Sequence, residues 1–209
     1  MKLYVKVVGP ADESELQIAL SALVSWADSW QLSVSIEKCC VLTIGKGVVP
    51  SQFYIKDQRL PTVSSCRDLG VMINTDLSPS LYISDIVRKA HARANMIHLC
   101  FISQNVTLLI CAFVTYVRPL LERNCVVWSS HLWRDITLIE QVQRRFTKRL
   151  RGYRNSYVER LKLLNLDTLE VWRIKFDLIF CYKIIFGLVR TNCDEFFEMA
   201  ISRTRGHPF

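Results

Sequence analysis

The sequence predicts a mostly helical α+β protein, with a small antiparallel sheet and one helix in its first third and a helical bundle after it. Three observations carry that expectation. Gly and Pro number only 7 and 6 in 209 residues, well under the usual share of roughly 12%, so turns are few and regular elements long. Half of the residues are apolar and 22% are charged, enough apolar material to offset the entropy of ordering a chain. The apolar period then lengthens near residue 76 from that of a strand to that of a helix.

Leu3, Val5 and Val7 alternate with Lys2, Tyr4 and Lys6, as in a short strand. Asp12 stands before Leu16, Ala19, Leu20, Leu23, Val24 and Ala27, an amphipathic pattern with Glu15 placed as in a capping box, so a helix is expected from Asp12 to near Trp30. Short β-prone runs follow at Val41 to Ile44, Phe53 to Lys56 and Leu69 to Ile73, separated by the turn signals Gly45-Lys46-Gly47 and Asp57-Gln58.

Helical spacing takes over from Ser78. Ile83, Ile86, Val87, Ala90, Ala94, Ile97 and Phe101 share one face of a helix opened by Pro79, and Arg88, Lys89 and Arg93 share the other. A second helix is expected over Val106 to Val117, closed by Pro119. The third runs from Asp135 as N-cap to Arg151, with Gly152 after it. Its apolar stripe is Ile139, Val142, Phe146 and Leu150, and a turn of about 100° per residue puts Arg144, Lys148 and Arg151 opposite. A fourth spans Thr168 to Phe186 and stops at Gly187.

Several function classes drop out. The chain has no Gly-x-Ser-x-Gly elbow and no phosphate loop of the Walker type, and Gly45 and Gly47 lack the third glycine and following helix of a dinucleotide site. Eight cysteines include no Cys-x-x-Cys, so they read as reduced, mostly buried thiols of a cytoplasmic or nuclear protein. The first ten residues lack a signal-peptide core, so secretion is not expected. Phe176 to Val189, the most apolar run, holds Asp177 and Lys183 and is shorter than the ~20 residues a membrane span needs, so no membrane partner is expected. His91, His98 and Cys100 have no standard metal spacing, and no metal or other cofactor is expected in this chain.

Two-metal phosphoryl transfer needs converging carboxylates, but no two Asp residues are adjacent. Asp12, Glu13 and Glu15 are explained by a helix start, as are Asp194 and Glu195. Trp26, Trp30, Trp128, Trp133 and Trp172 are expected in the core rather than as base platforms.

Charge is the informative feature. The net charge is +8, and between Arg134 and Lys162 nine basic residues face three acidic ones. Arg88, Lys89, Arg93, Arg144, Arg145, Lys148, Arg149 and Arg151 are the candidate contacts to a phosphate backbone, with Tyr153 and Tyr157 placed to stack on sugars or bases. The alternative is a solvated helix face.

A linear series of motifs adds a family. Leu16-Gln17, Trp26, Trp30-Gln31-Leu32, Lys38-Cys39, Ile44-Gly45, Asp68-Leu69-Gly70-Val71, Val117-Arg118-Pro119-Leu120-Leu121-Glu122, Val127-Trp128, the run from Ile139 to Lys148, Arg160-Leu161, Asp194-x-Phe196-Phe197 and Thr204-Arg205-Gly206-His207 stand in that order. Together they resemble the C-terminal half of the reverse transcriptase of non-LTR (LINE-type, jockey-like) retrotransposons, end to end. The resemblance implies the last part of a polymerase palm over residues 1–75, a helical thumb over 76–152 and a helical extension over 153–209. It implies that the chain begins just after the catalytic aspartate pair, so that this fragment is expected to be inactive as an RNA-directed DNA polymerase and Mg2+ is expected only for the intact enzyme. Lys38 matches the palm lysine thought to protonate pyrophosphate, an auxiliary general acid that would act only in an intact polymerase; Ser35 stands where the family usually has Asn. Asp68 to Val71 match the segment that turns the primer end. The implied partner is RNA or an RNA/DNA template-primer duplex, gripped by the thumb. A palm strand deprived of its hairpin partner would leave an unpaired apolar edge, through which oligomers are expected. The alternative is a non-catalytic basic helical module that binds nucleic acid or a protein.

Overall fold

The computed structural model describes residues 2–45 and 52–198. Lys46 and Gly47 of the expected turn, and Thr204 to His207 of the motif series, lie outside them. The chain is α+β and mostly α, and it divides into two compact units, Met1–Tyr82 and Ile83–Phe209.

In the first unit, α1 (Pro10–Ser29) starts earlier than Asp12. Pro10 occupies the first turn, where its missing N–H costs nothing and its fixed φ suits a helix. Asp12 is therefore not the cap. From one turn inside, its carboxylate accepts the backbone N–H groups of Val8 at 2.7 Å and Gly9 at 2.9 Å, which hold it below its ordinary pKa. The helix stops where expected, with Trp30 as C-cap.

The sheet is not one antiparallel sheet. Three two-stranded ladders form instead: β1 (Val41–Leu42) parallel to β4 (Thr62–Val63), β2 (Tyr54–Ile55) antiparallel to β3 (Gln58–Arg59), and β5 (Ser65–Asp68) antiparallel to β6 (Val71–Asn74). Lys56 and Asp57 join β2 to β3 with φ of 46° and 64°, the two left-handed residues of a hairpin turn whose twist matches the strands. Leu3, Val5 and Val7 are not a strand. Period-two alternation needs a neighbouring ladder to become a strand, and none of the described segments pairs with these residues. The apolar edge expected to drive oligomers is therefore not built by Leu3 to Val7. The edge of β2 is covered as well, because the Gln17 amide accepts from Tyr54 N–H at 3.0 Å and donates to its carbonyl at 2.9 Å. Val24, Phe53, Ile55 and Leu60 form the core, flanked by Leu16, Leu20, Val34, Ile36, Cys39 and Val41.

In the second unit, the expected stripe of α2 (Ser80–Cys100) is buried from Ile83 to Ile97. Pro119 does not merely end α3 (Val106–Tyr116). It enters the first turn of a new short helix, α4 (Arg118–Glu122), which α5 (Cys125–Trp128) follows. Then come α6 (Trp133–Lys148), α7 (Tyr157–Leu163) and α8 (Leu169–Ile185). Helix α8 packs against α4, α5 and α6. Its Thr168 cap accepts Val171 N–H at 3.2 Å, and Gly187 just beyond it has φ 65°.

Phe113 and Phe146 stack with centroids 4.5 Å apart at the centre of this unit. Among the tryptophans, Trp128 is buried and donates its indole N–H to the Arg123 carbonyl at 2.7 Å. Trp26, Trp30 and Trp133 are exposed, against expectation, since each falls on the outward side of its helix or just past its end. The cysteines also depart from expectation: all eight are free, but only Cys125 is buried, and Cys40, Cys100 and Cys111 are exposed.

Candidate nucleic-acid interface

Helix α6 positions the site, and its helical phase follows from its sequence. Ile139, Val142, Phe146 and Leu150 are buried, whereas Arg144, Arg145, Lys148, Arg149 and Arg151 are exposed. Its ends differ from the expected ones. Leu132 is the N-cap, and Asp135 sits buried in the first turn, where its carboxylate accepts the Ser130 hydroxyl at 2.9 Å. The last helical residue is Lys148, so Arg151 lies in the turn that Gly152 closes with φ 84°.

A third stripe runs between the apolar and the cationic ones. Gln143 and Thr147 are fully buried, and Glu140 lies beside them. Glu140 Oε1 accepts the Tyr157 hydroxyl, and its Oε2 accepts Leu169 N–H at 3.0 Å. Gln143 Nε2 donates to Tyr157 Oη at 3.2 Å and to the Asp167 carbonyl at 2.9 Å. One helix face thus pins α7 and the start of α8. Burial, reinforced by Glu140, raises the Tyr157 hydroxyl far above its ordinary pKa.

Two clefts flank the cationic ridge. One, of about 770 Å³, lies against α7 and is lined by Arg144, Lys148, Tyr153, Arg154, Asn155, Tyr157 and Arg160. The other, of about 650 Å³, lies against α2, with Arg88, Arg145, Lys148 and Arg149 among its polar walls and Ala94, Val142 and Phe146 as floor. Lys148 belongs to both. His91 and His98 line the second cleft, and burial lowers the pKa of each, helped by Arg145 at His91 and by Arg149 at His98.

The eight candidate cations are not equivalent. Arg144, Arg145, Lys148 and Arg151 enter no ion pair among the described residues. Arg149 reaches Asn95 Oδ1 at 2.7 Å and keeps its charge uncompensated. Arg88 and Lys89 both engage Asp85, at 2.8 Å and 2.6 Å, which lowers its pKa and partly neutralises them. Arg93 donates to the Tyr116 carbonyl at 3.0 Å and so finishes the end of α3. Lys89, Arg93 and Arg151 line neither cleft.

Arg154 and Arg160 belong to the basic window from Arg134 to Lys162, Arg154 close in sequence to the candidate cations of α6, and both line the α7 cleft. The signal for that wall was Ser156-x-x-Glu159, a capping box that starts α7: Ser156 Oγ accepts Glu159 N–H at 3.4 Å, and Glu159 accepts Ser156 N–H at 3.0 Å. Of the two candidate platforms, Tyr157 is occupied, with the Arg144 and Arg160 guanidinium groups 4.8 Å and 5.5 Å from its ring centroid. Tyr153 has no such ring contact among the described residues. In the first unit, Lys38 is exposed at the end of a 3-10 turn, Ile36–Lys38, whose Ile36 packs against the core.

Among the described residues no helix is long and apolar enough to cross a membrane, and no group of three or more His, Cys, Asp or Glu is placed to hold a metal ion. Compared with protein-family models, curated proteins and solved structures, the chain matches none of them.

Proposed function

We propose that the chain is part of a retrotransposon-type reverse transcriptase, that its helical second unit holds RNA or an RNA/DNA template-primer duplex by the phosphate backbone, and that the 209-residue chain has no polymerase activity by itself. The supporting observation is the cationic ridge of α6, whose Arg144, Arg145 and Lys148 stand exposed and outside any ion pair among the described residues, opposite a stripe that anchors the helix in the core. Uncompensated cations on a rigid helix match a polyanion of any sequence, because phosphate contacts give affinity without base readout. The motif series supplies the polymerase part of the reading, and the absence of adjacent aspartates supports inactivity.

The test is binding of an RNA/DNA hybrid by the full chain at increasing salt. Affinity should fall steeply and be indifferent to sequence; no binding at low salt would refute the reading. Template-dependent nucleotide incorporation above that of Lys38→Ala would refute the expected inactivity.

A second reading, a module that docks on another protein, is favoured by α8, where Ile174, Leu178, Ile179, Tyr182 and Ile185 are exposed. It predicts that salt leaves the main interaction unchanged.

A further inference from the structure

The cleft between α6 and α7 differs from the rest of the basic surface. Arg144, Lys148, Arg154 and Arg160 line it, none of them in an ion pair among the described residues, and no carboxylate lines it with them. The acidic side chains nearest in sequence are committed, Glu140 to Tyr157 and Leu169, and Glu159 to Ser156.

Arg160 is the decisive member. It is only 5% exposed, yet its guanidinium meets only neutral groups: the Asn155 carbonyl at 2.7 Å, Thr147 Oγ1 at 3.4 Å, the Arg144 carbonyl at 3.5 Å and the Tyr157 ring, 5.5 Å from its centroid. A cation withdrawn from water without a counter-charge is costly, and an anion in the cleft removes that cost. Arg144 is oriented beforehand by the Tyr157 ring, so less entropy is lost when it binds.

We propose that this cleft binds a phosphate monoester, specifically the terminal phosphate of a nucleic-acid strand, with Tyr153 stacking on the adjoining nucleotide; this rests on the nucleic-acid reading above and names the part of the strand the cleft takes. A backbone diester brings one negative charge, whereas a monoester brings about −1.5 to −2 at pH 7 and three acceptor oxygens. Converging cations in a concave wall match the second. At about 770 Å³, the cleft has room for a whole nucleotide rather than a bare ion, within the roughly 300–1,000 Å³ of ligand sites.

The experiment compares binding of the full chain to one single-stranded oligonucleotide in three forms: hydroxyl at both ends, 5′-phosphate, and 3′-phosphate. At least one phosphorylated form should bind roughly tenfold tighter than the hydroxyl form. Arg154→Ala should abolish that advantage, a loss larger than any fall in hydroxyl-form affinity; Arg154 is exposed and its side chain makes no hydrogen bond or ion pair among the described residues, so the variant should fold. Competition separates the sources of the phosphate. A nucleoside monophosphate should displace the phosphorylated strand at lower concentration than inorganic phosphate does, and Tyr153→Ala should erase that difference. Equal displacement by the two would overturn the stacking of Tyr153. Equal binding of all three strands would overturn the cleft assignment, leaving the ridge reading intact if the RNA/DNA hybrid still binds with steep salt dependence. Failure of every nucleic acid to bind would overturn both.

Discussion

Replacing Arg144, Lys148 and Arg151 together with Ala removes three exposed cations, none of which is in an ion pair among the described residues. If each meets one phosphate, the log-log dependence of binding on salt should become shallower by about 0.7 to 0.9 per contact, or roughly two to three units in all. Between 50 mM and 200 mM salt, the wild-type chain should then lose about 20- to 40-fold more affinity than the variant. The cost to folding should be small, because the three side chains lie away from Ile139, Val142, Phe146 and Leu150. Exposed positions cost about 0.5 kcal/mol or less. Arg144 adds about 0.5–1 kcal/mol for its place over Tyr157, a contact of 4.8 Å. Fluorescence anisotropy with a labelled RNA/DNA hybrid gives the slopes, and circular dichroism melting tests the fold. An unchanged slope in a folded variant would refute the phosphate assignment and return α6 to a solvated charged face. A loss of cooperative melting would refute the helical phase instead.

Phe146→Ala should destabilise the second unit by about 3–5 kcal/mol, since Phe146 is 2% exposed and stacks on Phe113; a denaturant midpoint near that of the wild type would mean α6 is not anchored there. Tyr157→Phe should cost about 1–3 kcal/mol, because Glu140 Oε1 and Gln143 lose their partner inside the α6–α7 contact. Folding should also weaken in mild acid. Burial lowers His91 and His98, so the unfolded chain, with imidazoles near pKa 6.5, takes up protons first as pH falls. Stability is therefore complete above about pH 6.5, declines below it, and levels off once the folded imidazoles protonate as well. Melting temperatures of His91→Gln/His98→Gln should decline less than wild type between pH 7.5 and 5.5, and parallel curves would refute the assignment.

Much of the second unit was legible because its elements carry repeated, redundant signals. The stripes of α2 and α6, and the start near Thr168 and Gly187 stop of α8, depend on spacing within one helix, and backbone geometry alone turns that spacing into a face. The cations of α6 are exposed for the same reason: once Ile139, Val142, Phe146 and Leu150 are buried, Arg144 and Lys148 have only the outward side left.

Signals carried by residue type alone, or by a partner outside the element, were less legible. Leu3, Val5 and Val7 alternate as a strand does, but a ladder needs a second segment, and no described one pairs with them. Asp135 has the residue type of a cap, yet its preferred partner is Ser130, which draws it into the interior. Trp26, Trp30 and Trp133 are apolar enough for a core, but position on the helix, not hydrophobicity, decided their exposure.

The fold class, the phase of α6 and the placing of positive charge on its outer face follow from local periodicity and composition alone. Which cations lie side by side depends on how the helices pack. Packing α7 against the Glu140, Gln143 and Thr147 stripe brings Arg154 and Arg160 beside Arg144 and Lys148, and the end of α3 takes Arg93; the pairs of Asp85 with Arg88 and Lys89, three and four residues apart in α2, already follow from helical spacing. The groupings with Arg154, Arg160 and Arg93 join residues on different elements, and the order of residues along a chain does not encode distances between elements until the core has packed.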